Sequence, residues 1–335
     1  LRLSERPMYW YYKVPFLIIL GLCLYGCGSL VWNRLPEDLR TSLHPTSWVA
    51  KDGAEETEPT DEGRQTEERE RAQTRPDATT GEAVSSPSPL IRRRLEAAKR
   101  QLEAGSWLGA RRLAEQVVAD ESVRPFSTVW LEATDALSTI NTRIFNSEIP
   151  VPQKRTYVIQ PGDSLAKIAR RLNTTIGALQ RGNDLPPNRA TIYPGDTLSI
   201  YKARWNIEVI KSRYCLILWD DDRFFKRYEI GVGRQNRTPV GTFVIDNKQK
   251  EPVWTPPGRV IEYGSEENVL GTRWLGLKPT GSTNPDLRGY GIHGTWEPET
   301  IGTASSEGCV RMRNREVEEL FDIVPVGTRV LIRDD

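Results

Sequence analysis

The first strong pattern along the chain is an uninterrupted apolar run near its beginning. Val14 to Trp32 contains 19 residues without a charged side chain, and aromatic residues stand at both ends of this run. A helix of that length spans the hydrocarbon core of a bilayer, and interfacial aromatic residues are typical of its ends. The run predicts a transmembrane signal anchor at residues 14–32. The basic side chains of residues 1–13 predict a cytoplasmic N-terminus, with residues 33–335 extracytoplasmic or periplasmic.

Two other interpretations of this run stay open. It can be the apolar region of a cleaved signal peptide, although no small-x-small cleavage site follows it. Leu24-Tyr25-Gly26-Cys27 resembles a lipobox and thus a lipoprotein, but Tyr25 is bulky for its position and apolar residues continue past Cys27. All three interpretations export the rest of the chain.

The next stretch is polar and acidic. Residues 51–89 hold 11 acidic and 5 basic side chains, and Val84 is the only large aliphatic residue among them. Such a segment cannot bury enough apolar surface to offset the entropy of ordering. We therefore predict a disordered linker at residues 33–88, which lets an anchored domain reach away from the membrane.

Helical periodicity follows the linker. Ser88 and Pro89 suit the cap and first position of a helix, and Ser106 suits the cap of a second. Apolar stripes at helical spacing lie at Ile91, Leu95, Ala98, Leu102, Ala110, Leu113, Ala114, Val117, Val118, Trp130, Ala133, Leu137, Ile140 and Ile144. They predict three helices over residues 89–147, similar to one tetratricopeptide hairpin plus an extra helix. We expect a spacer or a docking surface for a protein partner.

Residues 154–202 predict a small unit with the order strand, helix, helix, strand. Asp163 or Ser164, in the turn after the first strand, can cap the first helix. The strands are predicted at Thr156–Ile159 and Thr197–Tyr201, and the second helix at Thr175–Arg181.

The remainder, residues 206–335, is rich in strand signals. Apolar or alternating runs between turn residues predict strands at Ile207–Ile210, Tyr214–Trp219, Phe224–Val232, Val240–Ile245 and Thr328–Arg333. Asn314 can cap a helix whose start is rich in Glu. The sequence predicts a mostly antiparallel β domain with a little helix, and a multidomain α+β chain overall.

Composition excludes several functional classes. The chain has 46 Lys and Arg against 45 Asp and Glu, which argues against a nucleic-acid binder with a broad basic surface. Four Cys cannot build a disulfide-dense scaffold, and two His cannot build a multi-histidine metal site. No phosphate-loop motif is present. We expect neither a metal nor a cofactor.

The few reactive side chains of residues 206–335 are therefore informative. The cysteines of this region are Cys215 and Cys309, and its only histidine is His293. Cys215 lies in an apolar strand, which predicts buried packing. Cys309 follows Gly308 on a turn, where open backbone N–H groups suit a nucleophile with an oxyanion hole. A structural thiol, or a disulfide between Cys215 and Cys309, is the alternative.

A resemblance to the LysM domain is carried by YVIQPGDSLAKIARRLN, LQRGND and IYPGDTLSIYK, within residues 154–202. That family binds glycans containing N-acetylglucosamine, such as peptidoglycan and chitin. The resemblance implies a sugar site between two loops, at Gly162, Asp163, Ser164, Leu165 and Ile192. Backbone N–H groups of the first turn can meet an acetamide oxygen, although Asp163 and Ser164 can also act only as helix caps.

A second resemblance covers nearly all of residues 206–335. Two segments of this chain, IHGT at residues 292–295 and SEGCVRM at residues 306–312, resemble the signature of the YkuD-type L,D-transpeptidases. The TPxGxF stretch of that family is matched by TPVGTF at residues 238–243. A LysM domain ahead of such a catalytic domain is a common pairing, so the two resemblances support each other.

The second resemblance implies acyl transfer on peptidoglycan stem peptides. Cys309 attacks the carbonyl between the third residue of a tetrapeptide and its terminal D-alanine, which leaves. The thioester then passes to an acceptor amine, giving a 3-3 cross-link or attachment of a protein. His293 takes the thiol proton, and the carbonyl of Gly294 orients the imidazole.

The same resemblance implies roles for further residues. The N–H groups of Gly308 and Cys309 hold the oxyanion, and Ser306 belongs to the same catalytic motif. Arg311 binds a substrate carboxylate or braces the loop. The pocket and its edge are formed by Tyr290, Trp274 and Glu307.

One position departs from the family pattern. The family carries His before the Gly-Cys pair, where this chain carries Glu307. A carboxylate about 6 Å from the thiol opposes its ionisation by roughly two pKa units at most, at an effective dielectric of ~20. In an extended strand, Glu307, Cys309 and Arg311 share one face. We therefore expect Glu307 to pair with Arg311 or Arg313.

The sequence thus predicts a membrane-anchored bacterial envelope enzyme that acts on peptidoglycan and is held to the glycan by LysM. Two alternatives stay open. One is a hydrolase of the same linkage, in which water replaces the acceptor amine. The other is a glycan-binding tether with an inactive catalytic domain, which only Glu307 favours.

Overall fold

The computed structural model of the chain describes residues 88–187 and 191–335. The helices of this part are α1 (Pro89–Glu103), α2 (Trp107–Val118), α3 (Thr128–Phe145), α4 (Leu165–Arg171), α5 (Ile176–Gly182) and α6 (Asn314–Ile323). The strands are β1 (Lys154–Val158), β2 (Thr197–Tyr201), β3 (Trp205–Ile210), β4 (Cys215–Asp220), β5 (Arg223–Glu229), β6 (Val232–Gly233), β7 (Gly241–Lys250), β8 (Arg273–Thr280), β9 (Gly291–His293), β10 (Ala304–Ser306), β11 (Val310–Arg311) and β12 (Arg329–Arg333). The structure is mixed α+β, as predicted.

Three helices form the first part of the described chain. Ser88 caps α1 by accepting from the N–H of Ile91, and Ser127 caps α3 by accepting from that of Trp130. The predicted stripes meet in a common core that includes Ile91, Leu95, Ala98, Ala114, Val117, Trp130, Ala133 and Leu137. Ser106 occupies the N-cap position of α2, as predicted, but at ψ 68° its backbone is not extended and its side chain makes no capping hydrogen bond.

The next part has the predicted order of strand, helix, helix, strand. Strands β1 and β2 pair antiparallel, with Lys154 opposite Tyr201 and Val158 opposite Thr197. Ser164 caps α4 through the N–H of Lys167, and Thr175 caps α5 through the N–H of Ala178. The helices bury their apolar sides against the strand pair.

The C-terminal domain is built on an eight-stranded sheet in the order β11-β9-β8-β7-β12-β3-β4-β5. Its neighbours are antiparallel except for β12 with β3 and β11 with β9, which run parallel. Strands β6 and β10 form a separate parallel pair. The strand β11 therefore lies at one edge of the sheet, next to β9, and the loop from β10 enters it there.

Side chains of β4 show how the sheet is covered. Cys215 and Ile217 face the core shared with α1, α2 and α3, whereas Leu216 and Leu218 face the core shared with α6. This alternation follows from the two-residue repeat of a strand. Cys215 is buried and its thiol is free, as is that of Cys309, so the disulfide alternative is not supported.

The sequence prediction missed four strands that carry or adjoin the candidate site residues, namely β8, β9, β10 and β11. Strands β8 and β9 lie among glycine-rich turns, and β9 has only three residues, too few to show a period. The predicted cap at Asn314 is also wrong. Arg313 occupies the N-cap position of α6, because the Asn314 side chain accepts instead from the N–H of Thr272 at 3.2 Å.

Among residues 88–187 and 191–335, no helix is both long and apolar enough to cross a membrane. The predicted anchor at residues 14–32 lies outside the described residues. So do the predicted N-terminal segment 1–13 and, except for Ser88, the predicted linker 33–88.

Candidate active site

Strands β8, β9 and β11 bring most of the predicted catalytic residues to one edge of the sheet. His293 on β9 lies opposite Arg311 on one side and Trp274 on the other. The next pair in the parallel ladder is Val310 with Ile292, so Cys309 enters beside Gly291. Cys309 thus stands one residue before β11, at the end of the bend that precedes this strand, and β11 pairs directly with the strand that carries His293.

The imidazole of His293 is buried, with 3% of the residue exposed. Its Nδ1 lies 2.6 Å from the carbonyl oxygen of Gly294. A carbonyl only accepts, so Nδ1 carries the proton in the neutral ring. Burial lowers the pKa of His293 to about 4, and the charge of Arg311 lowers it too, whereas hydrogen bonds to the backbone of Gly294 and of Leu270 raise it. The ring is therefore neutral at neutral pH and can accept a proton.

The position of Gly294 is fixed by its surroundings. A side chain at Gly294 would overlap Oδ1 of Asn314, which also accepts from the N–H of Thr272 at 3.2 Å. Gly271, with φ +61°, passes the same amide oxygen and the backbone of Gly294. Glycine at both positions lets Asn314 hold the turn that orients His293.

Trp274 supports the imidazole from the neighbouring strand. Its ring stacks on that of His293 with centroids 5.9 Å apart and an interplanar angle of 25°. It also covers Gly291, where a Cβ would lie about 2.5 Å from the indole. The tryptophan thus limits the orientation of the imidazole and shields it from water.

The thiol of Cys309 is protonated in this arrangement. Its Sγ donates to the carbonyl of Gly289 over 3.6 Å, although the residue remains partly exposed. Burial raises the pKa of Cys309 to about 11, opposed by a backbone contact with Gly291. Burial raises the pKa of Cys215 to the same value, so pKa does not distinguish the two thiols, whereas their positions do.

The loop that carries Cys309 is held by its own hydrogen bonds. The hydroxyl of Ser306 donates to the carbonyl of Cys309 at 2.7 Å and accepts from the N–H of Gly308 at 3.1 Å. That N–H, expected in the oxyanion hole, is therefore occupied in this structure. Gly308 has φ +140°, and a Cβ there would lie 2.9 Å from the ring of Tyr290. Tyr290 therefore packs against the nucleophile loop.

Arg311 is almost fully buried beside the site. Its guanidinium donates to the hydroxyl of Ser305 and lies 3.4 Å from the carboxylate of Glu297. Of the two roles expected for Arg311, these contacts fit bracing of the loop.

The expected partners of Glu307 are wrong. Its carboxylate pairs with Arg234 and Arg237, whereas Arg313 pairs with Glu229 at 2.6 Å. Glu307 and Arg311 would share a face only in an extended strand, but β10 ends at Ser306 and β11 begins at Val310. Residues 307–309 bend between the two strands, and this bend directs Glu307 away from Arg311. Sequence reasoning missed both arginines, although Arg237 directly precedes the TPVGTF stretch.

The residues predicted to bind sugar lie together in the βααβ unit. The carboxylate of Asp163, only 3% exposed, accepts from Tyr157 at 2.6 Å, from the N–H of Gln160 at 3.0 Å and from Arg171 at 3.0 Å. Hydrogen bonding lowers the pKa of Asp163, with Tyr157 as the largest cause. Gly162 takes φ +80° in the same turn, Ser164 caps α4, and Leu165 and Ile192 pack in the core of the unit. Asp163 and Ser164 therefore shape the turn, and sugar binding there stays a prediction.

Two other features of the described residues lie apart from this chemistry. A cleft of about 370 Å³ between the βααβ unit and the C-terminal domain is lined by residues such as Arg170, Thr175 and Lys248, but by neither Cys309 nor His293. In residues 88–187 and 191–335, no three His, Cys, Asp or Glu side chains cluster as a metal site requires.

Comparison with known proteins assigns the two domains. The model of the L,D-transpeptidase catalytic domain family YkuD matches residues 204–332, and that of the LysM domain matches residues 157–200. The Bacillus licheniformis protein named L,D-transpeptidase YkuD is 36% identical over 187 residues, covering 52% of this chain and 97% of that protein. The Bacillus subtilis protein named L,D-transpeptidase YqjB is 41% identical over 143 residues, covering 42% of this chain and 74% of that protein.

The chain therefore belongs to the YkuD family of L,D-transpeptidases. It is an enzyme of that class with a LysM domain ahead of the catalytic domain, and both resemblances expected from the sequence are confirmed.

Solved structures of L,D-transpeptidases also match. One from Mycobacterium smegmatis is 17% identical with a TM-score of 0.30, and the match covers 42% of this chain and 63% of that structure. The catalytic domain from E. faecium is 25% identical with a TM-score of 0.30, covering 38% of this chain and 96% of that structure.

Proposed function

We propose that this chain is a peptidoglycan L,D-transpeptidase in which Cys309 is the nucleophile and His293 the general base. The observation that carries the proposal is the placement of a neutral imidazole on β9, whose partner strand β11 begins directly after the partly exposed Cys309. A base must be neutral to take a proton, and a nucleophile must be reachable by substrate.

The reaction divides into two acyl transfers. In the first, Sγ of Cys309 bonds to the carbonyl carbon of the third stem residue, and the bond from that carbon to the nitrogen of D-alanine breaks. His293 passes the thiol proton to the departing amine. In the second, an acceptor amine attacks the thioester, the C–S bond breaks, and the amine proton returns to sulfur through His293.

The thiol of Cys309 and the imidazole of His293 are both uncharged before substrate binds, and this determines when the thiol gives up its proton. With a thiol pKa of about 11 and an imidazole pKa of about 4, a preformed thiolate–imidazolium pair is strongly disfavoured. The thiol instead exchanges the Gly289 carbonyl for Nε2 of His293 as it attacks. Proton transfer then accompanies formation of the C–S bond.

The oxyanion is stabilised by the backbone of the nucleophile loop. The N–H of Cys309 is the first donor, and the N–H of Gly308 becomes a second when Ser306 rotates away from it. Trp274 and Tyr290 line the site for the stem peptide, and Arg311 braces the loop through Ser305 and Glu297.

Location follows from the remaining parts of the chain. The LysM domain binds the glycan strand near Gly162, Asp163, Ser164, Leu165 and Ile192, which raises the local concentration of stem peptides. Residues 14–32 anchor the chain in the membrane, with residues 33–335 on the periplasmic or extracytoplasmic side.

The mass of residues 88–335 after incubation with a disaccharide-tetrapeptide tests the mechanism. We expect a gain equal to the acyl-tripeptide, with release of D-alanine, and no gain for Cys309→Ala. The acylated protein is then mixed with an acceptor stem or with buffer alone. Loss of the acyl group only to the acceptor indicates a transpeptidase, and loss in buffer alone indicates a hydrolase. A wild-type protein that binds glycan but never gains this mass would instead be an inactive tether.

A further inference from the structure

Two arginines converge on a single carboxylate next to the nucleophile loop. Arg234 and Arg237 flank the short turn after β6, and both guanidinium groups pair with Glu307. The three side chains are exposed by 52%, 45% and 68%, so a ligand can reach them. The arrangement thus already binds a carboxylate that belongs to the protein itself.

The cluster of Arg234, Arg237 and Glu307 carries a net positive charge, whereas the neighbouring arginines are each paired with a carboxylate. Arg311 is paired with Glu297, and Arg313 is paired with Glu229 and lies 3.7 Å from Glu316. Arg234 and Arg237 share one carboxylate between them, which leaves a net charge of about +1. Each guanidinium has five N–H donors, more than one carboxylate can use.

The cluster is packed against the reacting loop. Gly308 lies between Glu307 and Cys309, and a Cβ on it would be 3.1 Å from the carbonyl of Arg237. A Cβ on Gly233, just before Arg234, would be 2.8 Å from Cα of Gly308. Two residues of chain span at most about 7 Å, so Glu307 lies close to Cys309. The arginines that pair with Glu307 therefore meet a substrate close to the carbonyl that Cys309 attacks.

We propose that Arg234 and Arg237 recognise a free carboxylate of the donor stem peptide, and that Glu307 occupies this site in the free enzyme and sets its selectivity. The inference rests on the proposed function, since it names the substrate feature read beside Cys309. Exposed ion pairs contribute little net stability, so a substrate carboxylate can displace Glu307. Glu307 is then a specificity-determining residue and not a sign of lost activity.

Two donors that differ by two negative charges test this inference. One is a disaccharide-tetrapeptide with free carboxylates at the second and third stem residues, and the other carries carboxamides there. We expect kcat/KM for D-alanine release to favour the carboxylate donor in the wild type. Glu307→Gln should increase that preference about tenfold through KM, with kcat nearly unchanged. The double variant Arg234→Gln/Arg237→Gln should abolish the preference.

Arg313→Gln is the matched control, because it removes a similarly exposed arginine whose charge is already paired. Its preference should equal that of the wild type. Binding of both donors to Cys309→Ala, with and without the arginine substitutions, gives a readout that does not depend on chemistry. A binding preference without D-alanine release refutes the proposed function and leaves this inference standing. If the double variant binds or turns over both donors with the wild-type preference, the arginines do not read a carboxylate.

Discussion

At the residue scale, His293 and Cys309 owe their protonation states to burial. The histidine is kept neutral by loss of solvent, and its tautomer is set by the carbonyl of Gly294. The cysteine keeps its proton for the same reason, with the carbonyl of Gly289 as acceptor. Both groups are therefore uncharged near neutral pH, since burial disfavours the charged form of each.

The raised pKa of Cys309 predicts slow, pH-dependent alkylation of the free enzyme. The thiolate is the reactive form, so the rate with iodoacetamide should rise about tenfold per pH unit from pH 7 to pH 10. Peptide mapping by mass spectrometry distinguishes Cys309 from the buried Cys215, and Cys309→Ala gives the background. A rate that levels off below pH 8 would mean that a thiolate–imidazolium pair exists in the free enzyme.

The lowered pKa of His293 predicts a loss of stability in acid. The unfolded chain binds the proton near pH 6.5, whereas the folded chain resists it until about pH 4. The stabilisation is therefore present above pH 6.5 and is lost as the pH falls toward 4, by at most about 3 kcal/mol. Urea unfolding of wild type and His293→Gln across this range measures it. The free energies of unfolding should converge toward pH 4, and parallel curves would contradict the prediction.

At the scale of elements, the loop between β10 and β11 is wedged between two neighbours. The ring of Tyr290 lies on one side of Gly308, and the backbone that follows β6 lies on the other. The N–H of Gly233 donates to the buried hydroxyl of Thr238 at 2.7 Å, which closes the turn that supports the loop. The site is therefore positioned by a turn that carries none of the reacting groups.

Gly233→Ala should displace this loop. Gly233 has φ −66°, so the substitution brings no backbone strain, but the new Cβ would lie 2.8 Å from Cα of Gly308 and from N of Thr238. Backbone atoms cannot move aside cheaply, and a shift of about 1 Å at a reacting group can lower the rate about 100-fold. We expect kcat for D-alanine release to fall 10- to 100-fold, as roughly estimated from that sensitivity.

Gly182→Ala is the control for this prediction, because its Cβ would meet other atoms only at 3.4 Å or more. Its kcat should match the wild type. Full activity in Gly233→Ala would show that the nucleophile loop tolerates the displacement or that the turn yields.

At the scale of the whole molecule, four aromatic rings join the parts of the described chain. Phe145 ends α3, Tyr201 ends β2, and Trp205 and Phe225 belong to the C-terminal sheet. Phe145 lies 5.3 Å from Tyr201 and 5.9 Å from Phe225, and Trp205 lies 4.8 Å from Phe225, between ring centroids. The helices and the LysM domain therefore each place an aromatic ring in the core of the catalytic domain, and the three parts should unfold together.

Phe145→Ala should weaken this common core. Loss of a fully buried ring costs about 3–5 kcal/mol through lost burial and the cavity left behind. We expect the free energy of unfolding of residues 88–335 to fall by about that amount, and the single thermal transition to broaden or split. Calorimetry measures both. Leu90→Ala, at a side chain that is 58% exposed, should change stability by less than about 0.5 kcal/mol. Equal effects of the two substitutions would contradict a shared aromatic core.

Much of this organisation could be predicted from local patterns. The helical stripes from Ile91 to Ile144, the caps at Ser88 and Ser164, and most strands are local features with a clear period. The two motifs around His293 and Cys309 were recognisable because reactive residues are rare in this chain. By contrast, β9 was too short to show a period, and the capping hydrogen bond of Ser106 and the cap at Asn314 depended on how the chain turns.

The sequence alone determined the βααβ unit and the mostly antiparallel C-terminal domain, because these follow from spacing within short segments, and its motifs named Cys309 and His293 as candidates. The tertiary structure decided which charges meet. Glu307 pairs with Arg234 and Arg237, about 70 residues away in the chain, because residues 307–309 bend out of the strand. It also decided the environment of His293 and Cys309, since burial and the carbonyls of Gly294 and Gly289 depend on strands that pair across the sheet. Long-range contacts of this kind have no local signature in a single sequence.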